Sequence, residues 1–185
     1  MIDIGIDIDG TLTVPDFWID IMNKYFNRTI KYSEVKAYDW LEIYDISLDE
    51  FNEFYKAYGP KMHYEAKLRL GAKEVVKSWG EQFSINYITA RQKWLEDTTK
   101  KWLLKHSLPG NHYVIGSHNK LPLAKKLGCE VFIEDNLSVA TQLAKEGIKV
   151  FLIDCPYNKA KLPNNIKRVF NWNEIKKEVN NFAGN

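Results

Sequence analysis

The chain has 185 residues, 45% of them hydrophobic and 27% charged, with a formal net charge of +2. That length and balance suit one globular domain with a sizeable core and room for a small insertion. The small charge argues against a nucleic-acid polymer or a membrane surface as partner, and no apolar run is long enough to span a bilayer. Asp3, Asp7 and Asp9 interrupt what would otherwise be an apolar leader, so a cytoplasmic location is expected. Cys129 and Cys155 follow no disulfide or metal-site spacing and are expected to be small buried side chains.

Ile2, Ile4, Ile6 and Ile8 fall at every second position, which predicts a strand with one buried face, ended by the turn at Asp9-Gly10. From Val14 to about Leu70 the pattern turns helical. Phe17, Ile21, Tyr25 and Phe26 share one face. Ser47 and Glu50 form a capping-box pair before Phe51, Phe54, Tyr55 and Tyr58, and Gly59-Pro60 is expected to stop that helix. A strand–helix alternation follows, with strands at Ser84 to Ile88, His112 to Ile115, Glu130 to Ile133 and Ile148 to Ile153. Helical stripes lie between them, and a last helix is capped by Asn171 and Glu174. Such an alternation predicts an α/β fold, a mostly parallel sheet covered on both faces in three layers. Residues 1–13 and 71–185 would form its core and residues 14–70 a small helical insertion.

In parallel sheets reactive groups gather beyond the carboxyl ends of the strands. Here those ends carry Asp7 and Asp9, then Thr89-Ala90-Arg91, then Gly116-Ser117-His118, then Glu134-Asp135-Asn136, with Lys120 on the helix after the third strand. Four carboxylates and one lysine at a single edge leave an excess of negative charge. A hard divalent ion with oxygen ligands, magnesium above all, would neutralise it. The remaining hydroxyl, ammonium and backbone N–H groups would then suit phosphate oxygens, so a small phosphate ester is the expected ligand.

Asp7-x-Asp9-Gly10-Thr11, Thr89, Lys120 and Glu134-Asp135, in this order and on these elements, resemble the four motifs of the haloacid dehalogenase superfamily of phosphatases. Ile88-Thr89-Ala90-Arg91, Ile133-Glu134-Asp135-Asn136 and the run from Val150 through Asp154-Cys155-Pro156-Tyr157-Asn158 further resemble its deoxyribonucleotidase-related branch. The resemblance implies a Rossmann-like core, a helical cap and a magnesium-dependent phosphomonoesterase that works through an aspartyl-phosphate. Carried over residue by residue, Asp7 would be the nucleophile and Asp9 the general acid and base, with a pKa raised toward neutrality. Asp7, the Asp9 carbonyl, Asp135 and Glu134 would hold the metal. Asp9, Gly10, Thr89, Ala90 and Lys120 would surround the phosphate.

The implied cap is rich in aromatics. Phe17, Trp18 and Trp40 could stack on a base, or could simply supply a small cap with its core, and the second account is preferred. Arg91 would either touch the substrate or pair with a solvent-facing carboxylate, and again the second is preferred. Asn136 is read as a helix N-cap, while His63, His106, His112 and His118 are assigned no role. A 5'-nucleotidase acting on ribo- or deoxyribonucleoside monophosphates is the expected activity. A phosphatase of sugar phosphates or other small metabolites is the alternative, and a non-catalytic phosphate-binding or receiver-like domain a remote one. Thr11 stands where the well-studied deoxyribonucleotidases carry valine, so their base-recognition geometry does not carry over directly.

Overall fold

The computed structural model describes residues 1–14 and 16–184 without the side chain of Phe17, so the stacking expected of Phe17 lies outside the described residues. In chain order the elements are β1 (Asp3–Ile6), α1 (Asp16–Phe26), α2 (Trp40–Tyr44), α3 (Leu48–Glu65), α4 (Ala72–Trp79), β2 (Ser84–Thr89) and α5 (Glu96–Lys105). There follow β3 (His112–Ile115), α6 (Leu121–Lys126), β4 (Cys129–Glu134), α7 (Leu137–Lys145), β5 (Lys149–Ile153), β6 (Ile166–Val169) and α8 (Trp172–Ala183). The six strands form one sheet in the order β3-β2-β1-β4-β5-β6, and every neighbouring pair is parallel. From the central pair β1 and β4 the chain winds outward in opposite directions, which leaves a crevice beyond their carboxyl ends.

Alternation along the strands sends residues to two cores. Ile4, Ile6, Ile8, Val131, Ile133, Phe151 and Ile153 pack with Val76, Trp79, Trp102, Trp172 and Ile175 on one face. Phe132, Val150 and Leu152 pack with Ala124, Ala140 and Leu143 on the other. Ile4, Ile6 and Ile8 are fully buried, each contributing roughly 1.5–3 kcal/mol of burial, while Ile2 is partly buried. Opposite them Gly5 has no side chain because the Phe132 ring of β4 occupies that space, and a β-carbon at Gly5 would overlap it.

The stretch between β1 and α4 is helical, as its pattern predicts, and builds a third core from Trp18, Met22, Tyr44, Phe54, Tyr55 and Met62 that closes on Leu95. Ser47 and Glu50 cap α3 reciprocally. That helix does not stop at Gly59-Pro60 but runs through to Glu65. An interior proline costs about 3 kcal/mol through its missing donor and its clash with the preceding turn. Phe54 and Tyr55 before it and Met62 and His63 after it are all buried, and at roughly 1.5–3 kcal/mol for a large apolar side chain their packing outweighs that cost. The chain leaves and re-enters the sheet side by side: Thr13 bridges Leu68, Val14 N–H donates to Lys67 O (3.0 Å) and Arg69 N–H to Leu12 O (2.8 Å). Among the described residues no helix is long and apolar enough to cross a membrane.

Candidate active site

Asp7 follows β1 directly, its N–H still donating to Ile133 O of β4 (3.0 Å), so its side chain stands where the sheet ends between the two central strands. The chain then turns back tightly, with Leu12 N–H and Thr13 N–H both donating to Ile8 O (2.9 and 3.0 Å). Gly10 holds the turn at φ +83, and a β-carbon there would overlap the Asp135 carboxylate and press on the Tyr157 hydroxyl. Both demands select glycine. From β4 come Glu134 and Asp135, and one oxygen from each of Asp7, Glu134 and Asp135 lies within 4.8 Å of the others, all three residues buried.

Lys120, at the N-terminal edge of α6, is also buried and binds Asp7 Oδ1 at 2.6 Å and Glu134 Oε2 at 2.7 Å. The other Glu134 oxygen accepts the backbone N–H groups of Asp135 (3.1 Å) and Asn136 (3.0 Å), so this carboxylate is held on both sides. Asp135 accepts from Thr11 Oγ1 (3.2 Å) and from the Tyr157 hydroxyl, and its carbonyl accepts from Asn158 Nδ2 (2.7 Å). Burial, opposed by the Lys120 ammonium and reinforced by Glu134, pushes Asp7 up to about 7. Burial followed by the charges of Glu134 and Asp7 raises Asp135 well above its ordinary range. Desolvation depresses Lys120, but Asp7 and Glu134 outweigh it and the net shift is upward. One ammonium thus serves three crowded carboxylates, and the residual negative charge with its oxygen donors fits a hard divalent cation. Asp7, Asp135 and Glu134 are the residues that would hold it.

Asp9 departs from expectation. Its two oxygens accept from Arg91 Nε and Nη2, both at 2.8 Å, and His63 Nδ1 lies 3.6 Å from Oδ1. Burial acts to raise its pKa, yet Arg91 and then His63 outweigh burial and hold the carboxyl well below the usual range. The shift toward neutrality expected from neighbouring carboxylates is therefore reversed, because the nearest charge is a bidentate guanidinium. Arg91 itself is not at the surface. It is 3% exposed, reaches Thr99 Oγ1 (3.4 Å) with Nη1 and lies over the Trp102 ring.

A pocket opens above these groups, lined by Asp7, Asp9, Gly10, Thr89, Ala90, Arg91 and Asp135 at its floor and by Trp18, Tyr38, Trp40, Phe51, Tyr55 and His63 from the helical segment. Thr89 ends β2 with its hydroxyl accepting Arg91 N–H (3.2 Å). The Gly10 N–H, expected among the phosphate donors, is engaged by Thr13 Oγ1 (3.2 Å). Trp18 and Trp40 are parallel, their rings 6.1 Å apart, and Trp18 also stacks on Tyr55 at 5.7 Å. Asn136 caps α7 as expected, accepting from Ser138 and Val139 N–H. Sequence reasoning gave no part to His63, Tyr157 or Asn158. The last two belong to the Asp154–Asn158 run that carried the finer resemblance and could have been singled out there, whereas nothing in the spacing marks His63.

A sequence profile described as PITM 1-3, LNS2 domain matches residues 50–140. The chain is 41% identical over 175 residues to Nucleotidase CA_C3379 of Clostridium acetobutylicum, covering 94% of this chain and 91% of that one. Its fold matches SP0104 of Streptococcus pneumoniae, a haloacid dehalogenase-like family hydrolase, with a TM-score of 0.69 at 16% identity over 99% of this chain and 98% of that one. It also matches a hydrolase of the same family from Deinococcus radiodurans R1, solved with bound phosphate and sodium, with a TM-score of 0.66 at 14% identity over 98% and 96%. At 41% identity over nearly the whole of both chains, the chain belongs to the bacterial family that includes Nucleotidase CA_C3379, and its fold is the one seen in these haloacid dehalogenase-like hydrolases.

Proposed function

We propose that this chain is a magnesium-dependent phosphomonoesterase that forms an aspartyl-phosphate on Asp7 and acts on nucleoside monophosphates. The observation that carries the reading is the buried set of Asp7, Glu134 and Asp135 around Lys120 at the sheet's switch point. The relatives support it: one bears the name nucleotidase, and a structural neighbour holds phosphate.

When bound, magnesium would neutralise the acidic cluster and draw charge from the phosphoryl oxygens. The Asp7 carboxylate attacks phosphorus, the P–O ester bond breaks, and the leaving alkoxide takes a proton through Asp9. Since Arg91 holds Asp9 ionised, that proton arrives with a monoanionic ester and passes by way of Asp9 to the ester oxygen. In the second half Asp9 accepts a proton from the water that hydrolyses the acyl phosphate, for which an ionised carboxylate is already correct. Lys120 keeps Asp7 in place, and Thr89 with Ala90 faces the phosphoryl oxygens. Residues 14–70 act as a cap that covers the site and shields it from bulk water.

For the substrate, the walls above the floor are mostly aromatic, from Trp18, Tyr38, Trp40 and Tyr55, with His63, Gln92 and His118 as polar members and no carboxylate or ammonium among the described residues. Such walls suit a flat, uncharged base better than a polyhydroxylated sugar. Phosphate release measured over nucleoside monophosphates and sugar phosphates, with magnesium and then with chelator, tests the reading. Turnover of nucleotides that stops on chelation is expected, and turnover of sugar phosphates alone would replace nucleotide by sugar phosphate. Rapid quenching with labelled substrate should yield a hydroxylamine-labile phosphoprotein that Asp7→Asn lacks.

A further inference from the structure

The floor of the pocket belongs to the sheet, but one polar group reaches it from the helical segment. His63 is fully buried, its Nε2 is 2.8 Å from the Tyr55 hydroxyl, and its Nδ1 has no hydrogen-bond partner. That orphaned nitrogen lies 3.6 Å from Asp9 Oδ1, closer than bulk water could enter yet beyond a hydrogen bond. A buried polar atom without a partner is costly, so one aimed at a reactive carboxylate calls for an explanation. A carboxylate opposite Nδ1 fixes the proton there, and the Tyr55 hydroxyl then donates to Nε2.

The local sequence builds this chain of contacts. Tyr55, Gly59 and His63 follow one another at helical spacing on α3, and helical side chains lean toward the N-terminus. His63 therefore leans back toward Tyr55, whose ring it meets edge-on with the centroids 5.7 Å apart. Had the helix ended at Pro60, His63 would not stand in this row.

We propose that His63, fixed by Tyr55, is a positioning residue through which the helical segment sets the orientation of the Asp9 carboxylate during catalysis. Arg91 grips Asp9 from the sheet side and His63 faces it at 3.6 Å from the opposite element, so the carboxylate is aligned only when both elements are in place. The inference rests on the reading of Asp9 as the group that moves the proton.

The test compares kcat/KM, which reports the step in which the leaving group departs and not the shared hydrolysis of the phosphoenzyme, for phenyl phosphate and p-nitrophenyl phosphate, two aromatic esters that differ in how much their leaving group needs a proton. Phenol is as weak an acid as a tyrosine side chain, with a pKa of about 10, and p-nitrophenol is far stronger. His63→Ala should slow phenyl phosphate about tenfold more than p-nitrophenyl phosphate, a fraction of what general acid catalysis contributes. His63→Asn, whose amide nitrogen can occupy the place of Nδ1, should restore the ratio, and Tyr55→Phe should shift it in the direction of His63→Ala. Both rates are read on one sample, so the ratio does not depend on the fraction folded. Asp9→Asn should steepen the ratio by itself, and adding His63→Ala to it should change the ratio no further. An equal loss on both esters in His63→Ala, or an unchanged ratio in Tyr55→Phe should His63→Ala not fold, would overturn the role of His63. So would effects of His63→Ala and Asp9→Asn that multiply. A flat ratio in Asp9→Asn would instead remove the reading of Asp9, and the proposal with it.

Discussion

At the scale of single residues, the Lys120 ammonium is the group on which the acidic cluster leans. Removing one partner of a buried ion pair leaves an uncompensated charge and costs about 3–5 kcal/mol. Lys120→Met should lower stability by about that much in urea unfolding with chelator present, and added magnesium should recover part of the loss. Gly10→Ala meets two penalties, a left-handed backbone and overlap with Asp135, and should cost about 1–3 kcal/mol and weaken magnesium binding measured by calorimetry. Asp7, Asp9, Thr89, Lys120, Glu134 and Asp135 were legible because strand ends and loop spacing alone bring them to one edge. The state of Asp9 was not, because it depends on which way a guanidinium turns. Arg91 beside Thr89-Ala90 reads equally well as facing solvent. His63 was illegible for a different reason: its place depends on α3 continuing past a proline, a contest between local propensity and packing that the packing won.

At the scale of elements, β1 and β4 meet in a tight fit, where the Phe132 ring fills the space over Gly5. Gly5→Ala forces overpacking and should cost about 1–3 kcal/mol by denaturant titration, and Phe132→Leu in that background should recover part of it. Recovery marks a contact pair, whereas purely additive losses would show that the two positions act separately. Strands with strong alternation or continuous apolar runs, β1, β4 and β5, were readable from the sequence, as were the capping pairs Ser47–Glu50 and Asn171–Glu174. The edge strand β6 was not. Ile166–Val169 is four residues long with two charged members, so the partner strand rather than its own pattern makes it a strand.

At the scale of the whole molecule, the cluster ties stability to pH and to metal. The folded pKa of Asp7 is raised from its ordinary 3.8 to about 7, so between those values the folded state holds the proton more tightly than the unfolded one. Stability from this group is therefore present below 3.8 and lost as pH rises toward 7. Asp9, with a lowered folded pKa, adds stability that is complete above its ordinary value and does not change across that window. Lys120, raised, adds stability that is lost only far above it. Asp135, also raised and in part by Asp7, loses stability in the same sense as pH rises, and buried His63 works in the opposite sense below its ordinary 6.5, so Asp7→Asn reports Asp7 together with its effect on Asp135. In chelator, the melting temperature of Asp7→Asn should exceed that of the parent by a margin that widens from pH 4 to pH 7, on the order of several degrees. Magnesium at a hundred times its Kd should add about 2.7 kcal/mol to the parent. The paired segments at Leu12–Val14 and Lys67–Arg69 bear on more than stability. Because the outgoing and returning backbones lie shoulder to shoulder, the intervening helices can be exchanged for a graft of another length without rethreading a single strand. Bond-breaking groups would stay behind with the sheet, and preference for one ester over another would travel with the transplanted piece.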